Sequence, residues 1–176
     1  MLNRKIIRKS LISKIKTHTP FSSMNIFDNR RMPATDKQLP AIYIFTENES
    51  IEEYASTPKS SKRELEVTIE YINRGKLSDL EDELDDFLYN LENIMNFDRW
   101  LTINGVKTLE DCQITSTQTN ITKETGNPML HIQANYKVIY VTEDISDLDI
   151  ITDLNTIYGQ TKIENKIVED EIDFSI

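Results

Sequence analysis

Two periods run through the apolar positions of this chain, and they mark out its elements. Near the start, Ile7, Leu11 and Ile15 recur every fourth residue, with Leu2, Ile6 and Ile12 widening the stripe, which predicts an amphipathic helix ended by Pro20. Residues 21–38 carry Pro33 among serines and asparagines and read as a loop with room for one short strand. The run Leu39–Phe45 is rich in Ile and aromatics and predicts a buried strand entered through Pro40. Glu47 to Ser61 is polar, contains Pro58, and is expected to be a connecting loop. From Lys62 to Ile72 the period changes to two: Leu65, Val67, Ile69 and Tyr71 alternate with Glu64, Glu66, Thr68 and Glu70. A strand with one wet face belongs in an antiparallel sheet.

A second helix is expected over Ser78–Met95, where Leu80, Leu84, Phe87, Leu91 and Ile94 trace one face. Ser78 with Glu81 has the spacing of a capping box, and four acidic residues between Asp79 and Glu83 suit the positive end of the helix dipole. After a turn region over 97–107 come a Thr-rich strand, Leu109–Ile121, and an alternating strand, Leu130–Tyr140, split by Gly126-Asn127-Pro128 into a hairpin. The expected order is α-β-β-α-β-β. That is an α+β domain over residues 1–143, mainly antiparallel, with helices packed on one face of the sheet. Residues 144–176 form an acidic extension in which Val168, Ile172, Phe174 and Ile176 hint at a terminal strand.

Composition narrows the chemistry. A single cysteine, Cys112, excludes an internal disulfide and a cysteine-based zinc cluster. The four glycines are far apart, so none belongs to a phosphate-cradling loop, and there is neither a G-x-S-x-G elbow nor an H-E-x-x-H pair. Cys112 with His131 forms a nucleophile pair only in principle; a small buried hydrophobe and a polar-face histidine is the simpler reading. The acids of the second helix read as a solvated face rather than a calcium loop. No apolar run is long enough to span a bilayer, and Arg4, Lys5, Arg8 and Lys9 interrupt any signal-like start, so a soluble intracellular chain without cofactor or metal is expected.

Charge is distributed unevenly. Net charge is −10, yet no acidic residue precedes Asp28, while Ser78–Asp98 and the segment after Asp144 are strongly acidic. Such asymmetry suits a charged partner or head-to-tail contact between copies. The basic helix lacks the aromatics that stack on bases, and packing or a protein interface is favoured over nucleic acid. The candidate interaction surface is Arg4, Lys5, Arg8 and Lys9 at the basic end, with Glu64, Glu66 and Glu70 on the wet face of the strand.

The series Leu39-Pro40-Ala41-Ile42-Tyr43-Ile44-Phe45-Thr46-Glu47, then Arg63–Glu70, the helix Leu84–Ile94 and the strand ending Asn135-Tyr136-Lys137-Val138-Ile139-Tyr140 resembles the minor tail protein U family, the tail terminators of long-tailed bacteriophages. The resemblance covers residues 1–142 and rests on patterns of residue type; the extension after Asp144 departs from it. It implies a non-catalytic virion protein, assembled in the host cytoplasm, that forms a ring, typically a hexamer, on the head-proximal end of the tail tube. Its partners would be its own copies, the tube protein and a head-completion or neck protein, with DNA passing through unbound and no membrane involved. A neck-joining protein of similar fold is the alternative within this class. A small DNA-binding module or hydrolase is the alternative outside it.

Overall fold

The computed structural model describes residues 3–29, 32–57, 59–103, 106–122 and 127–143. The extension after Asp144 and its suggested strand lie outside them. Helix α1 is Arg4–Lys16, followed by strand β1, Asn25–Asp28, and a 3-10 turn at Asp36–Gln38. Strands β2, Ala41–Ser56, and β3, Lys59–Arg74, lead into helix α2, Leu77–Phe97. Two-residue strands β4 (Thr102–Ile103) and β5 (Val106–Lys107) pair with each other, and β6, Asp111–Thr122, and β7, Met129–Glu143, close the series. The class is α+β, with a five-stranded sheet in the order β1-β2-β3-β7-β6.

The sheet is mixed rather than wholly antiparallel. β1 lies in the expected loop and pairs parallel to β2, Asn25 opposite Ala41 through Asp28 opposite Ile44. It is the one short strand that segment had room for; its parallel direction is what the sequence did not show. Every other neighbour in the sheet is antiparallel, with β3 paired to β7 from Ser60–Glu143 to Arg74–Met129.

Alternation decides which face is dry. Leu65, Val67, Ile69 and Tyr71 of β3 and Leu130, Ile132, Ala134 and Val138 of β7 are buried beneath Ile7, Leu11 and Ile15 of α1 and Phe87, Leu91 and Ile94 of α2. Phe87 is the junction: it stacks on Tyr71 at 4.4 Å and meets Phe21 edge-on at 5.4 Å. Each such side chain contributes roughly 1.5–3 kcal/mol on burial, so this layer supplies the main stabilisation.

Two expectations are corrected. The polar stretch after Glu47 is not a loop; β2 runs on to Ser56 and β3 starts at Lys59. β3 with its sixteen residues reaches about 53 Å, whereas α2 with twenty-one reaches about 31 Å, so the hairpin outruns the helices. Strand residues with no core to face are wet on both sides and lose the period of two. The capping box at Ser78 also fails to form. The cap position is Lys76, which has no side-chain cap bond, and the Ser78 hydroxyl instead donates to Asp79 at 3.0 Å. α1 is the side-chain-capped helix: Asn3 Oδ1 accepts from the Ile6 amide at 3.0 Å, and Lys14 and Lys16 sit in its last turn.

Candidate functional site

A bulge in β2 organises the molecule's charged centre. Thr46 faces Val67, but Glu49 faces Leu65, so one extra residue between them switches the side on which β2's side chains emerge. Before it, Ile42 and Ile44 point to the helices; after it, Glu49 does. Its carboxylate, 8 % exposed, accepts from Arg4 at 3.2 Å and Arg63 at 3.3 Å, and from the Tyr140 hydroxyl. Arg63 also donates to Thr142 Oγ1 at 2.9 Å. Burial, then the Glu49 carboxylate, raises the Tyr140 hydroxyl pKa above its ordinary value. This cluster ties the start of α1 to β2, β3 and β7.

The predicted surface therefore divides. Arg4 is committed to Glu49 and the Glu47 carbonyl, and Arg8 to Asp28 and, at 2.8 Å, to Thr46 Oγ1. Lys5 and Lys9 are exposed on the outer side of α1. Glu64, Glu66 and Glu70 lie on the opposite, helix-free face of the sheet, each with a partner. Glu64 pairs with Lys137 at 2.6 Å, Glu66 accepts from Asn48 at 2.8 Å, and Glu70 lies 3.7 Å from His131. The Glu70 contact raises the His131 pKa, opposed by partial burial. The structure thus brings the three acids together and keeps them apart from the basic residues.

That helix-free face holds a shallow groove of about 630 Å³ bordered by Glu47, Asn48, Glu64, Glu66, Gln133 and Asn135. Its floor is a chain of hydrogen bonds. Thr68 Oγ1 donates to Asn135 Oδ1 at 2.9 Å, Gln133 Nε2 to the same oxygen at 3.1 Å, and Asn135 Nδ2 to Ser116 Oγ at 2.9 Å.

Cys112 and His131 are not assembled into a pair. Cys112 sits opposite Val138 on the buried side, whereas His131 lies on the helix-free face seven residues away along β7. Burial pushes the Cys112 thiol up to about 12, away from nucleophilic character. Among the described residues no group of three or more His, Cys, Asp or Glu could hold a metal ion. No helix among the described residues is long and apolar enough to cross a membrane.

Sequence reasoning missed Glu49, Arg63 and Tyr140 because the bulge that gathers them has no sequence signature. Lys14 was missed too. It reaches the end of α2, donating to the Asp98 carbonyl at 2.5 Å and the Met95 carbonyl at 3.5 Å, and burial lowers its pKa. Cations at helix C-termini supply a signal for that contact. Scanned against protein-family models the chain finds no match, and a search of curated proteins returns no significant relative.

Proposed function

We propose that this chain is a tail-terminator subunit. It closes into a ring, a hexamer in the family it resembles, on the head-proximal end of a phage tail tube, stops tube growth and presents the surface for head joining. Its role is structural and non-catalytic, its site the neck of the virion, reached after assembly in the host cytoplasm. Its partners are its own copies, the tube protein and a head-completion protein. The acids of the helix-free face repel phosphate, so DNA passes without specific binding.

One observation carries the reading. Exposed Lys5, Lys9 and Lys16 on α1 and exposed Glu81, Asp85 and Glu92 on α2 give one domain two unlike charged helices. A closed ring requires unlike, complementary patches on each subunit, and opposite charges steer such contacts in a salt-dependent way. The resemblance over residues 1–142 supplies the tube as the object being capped.

The test adds purified full-length chain to polymerising tail tubes and images them by negative-stain electron microscopy. Tubes bearing a ring at one end and ceasing to lengthen are expected. Tubes that grow to the same length as without the chain, with no end density, contradict the proposal. Preferential capture of a portal or head-completion protein over tubes assigns the chain to head joining instead.

A further inference from the structure

Each edge of the sheet is open over a stretch of similar length, the β2 stretch broken by register shifts at Thr46/Glu49 and Glu53/Ala55. On one flank, every residue of β6 from Gln113 to Asn120 is exposed, and among the described residues no strand lies outside it. Edges of this length are ordinarily guarded by lysine, proline, inward charge or a bulge. The stretch Gln-Ile-Thr-Ser-Thr-Gln-Thr-Asn has only the last, between Ile114 and Ser116. On the other flank β1 covers only Ala41–Ile44 of the sixteen residues of β2. The twelve that remain, Phe45–Ser56, have no outer strand among the described residues; β6 also has twelve.

Direction fits too, with one copy shifted along the strands, because Gln113–Asn120 stands level with Ala41–Asn48 of β2 in its own sheet. β3, β7 and β6 follow β2 across the sheet, each antiparallel to the last, so β6 runs opposite to β2. Two copies set side by side in the same orientation therefore present antiparallel edges to each other.

The helical layer points to the same seam. α1 packs against β1 and β2, and α2 against β7. At about 100° per residue, Lys5, Lys9 and Lys16 lie beyond Arg8, which turns toward β1, and away from Lys14, which reaches α2. Glu81, Asp85 and Glu92 are exposed and share one side of α2. A displacement that joins β6 to a neighbour's β2 also carries acidic α2 toward basic α1.

We infer that β6 of one copy adds antiparallel to the Phe45–Ser56 half of β2 in a second copy, continuing the sheet across the subunit boundary. Glu81, Asp85 and Glu92 face Lys5, Lys9 and Lys16 of the neighbour across the same seam. The contact is heterologous, so it propagates until rotation closes it. This deepens the ring reading and rests on it for closure.

The test is hydrogen exchange on the full-length chain above and below its association concentration, combined with proline scanning. Amides within 113–120 and 47–54 are expected to exchange at least about tenfold more slowly in the assembly than in the monomer. Successive strand residues point their N–H groups alternately to β7 and outward, so one of Gln118→Pro and Thr119→Pro spares the internal ladder. Circular dichroism and the melting temperature of the monomer identify that variant, and its association is expected to weaken by more than about tenfold. Lys5→Glu with Lys9→Glu should weaken association at low salt and be rescued by Glu81→Lys with Asp85→Lys. Assembly without edge protection, or assembly undisturbed by the folded proline variant, overturns the seam and leaves the ring reading standing. Edges equally protected in the monomer are covered by the chain itself and also overturn it. Absence of assembly at any concentration overturns both.

Discussion

Glu49→Ala is expected to be among the most destabilising single changes outside the apolar core. The carboxylate is 8 % exposed and receives Arg4, Arg63 and the Tyr140 hydroxyl. Breaking a fully enclosed ion pair from one side costs about 3–5 kcal/mol, because the abandoned charge stays buried. Here Arg63 and Arg4 are 23 % and 43 % exposed and can turn toward water, which lowers the expectation to about 2–3 kcal/mol. For a chain of this size that corresponds to a fall of about 5–10 °C in Tm. Arg4→Ala should cost only about 0.5 kcal/mol, since its guanidinium is the most solvated of the three partners. Urea unfolding followed by circular dichroism, with the double variant closing the cycle, measures both costs and their coupling. If Glu49→Ala unfolds within about 0.5 kcal/mol of the wild type, the bulge does not serve to bury this cluster and the reasoning fails.

Other expectations follow from the same geometry. Tyr136, whose buried hydroxyl has no hydrogen-bond partner among the described residues, should tolerate Tyr136→Phe with no loss, whereas Tyr71→Phe, which strips a bond to Glu83, should cost about 1.5 kcal/mol in urea unfolding. His131 is raised in the folded state by Glu70, so its contribution to stability is complete below its unfolded value near 6.5 and fades as pH rises through the raised value. Proton NMR should find it titrating above 6.5 and returning toward that value in Glu70→Gln; titration at or below 6.5 in the wild type contradicts the pairing. Cys112, buried and pushed up to about 12, should resist a thiol-reactive disulfide reagent at pH 8 until urea opens the fold, and prompt labelling of the native chain counts against its placement.

Where an element faces the core, its residues declare it. The alternation of β3 and β7, the four-residue recurrence of α1 and the seven-residue recurrence of α2 are the traces of a dry sheet face and its helical cover, and they were legible in the sequence. Legibility ends where the core ends. β2 beyond Glu49 is wet on both faces, so its residues look like a loop, and the Pro58 that follows in the sequence strengthens that impression. β1 is held by four residues of parallel pairing, too short to show a period. Ser78 and Glu81 carry the letters of a capping box, but the helix begins earlier, at Leu77 after Lys76, and the motif falls inside it.

The candidate surface divides for a related reason. Helical spacing separates Arg4 and Arg8 from Lys5 and Lys9 but does not reveal which pair meets a carboxylate. That depends on Glu49 and Asp28, distant in sequence and delivered by β2 and β1. On β3 the period of two did place Glu64, Glu66 and Glu70 on one face. Their partners Lys137 and His131 required the β3–β7 register, which is fixed only when Leu65 through Tyr71 settle against the inner side of β7.

Mass photometry of the full-length chain across a concentration and salt series shows whether copies close into a ring. One closed species is expected at low salt, six times the chain mass if the family resemblance holds, dissociating as salt rises. A chain that stays monomeric at every concentration and ionic strength, or grows into open polymers of unlimited length, contradicts the ring.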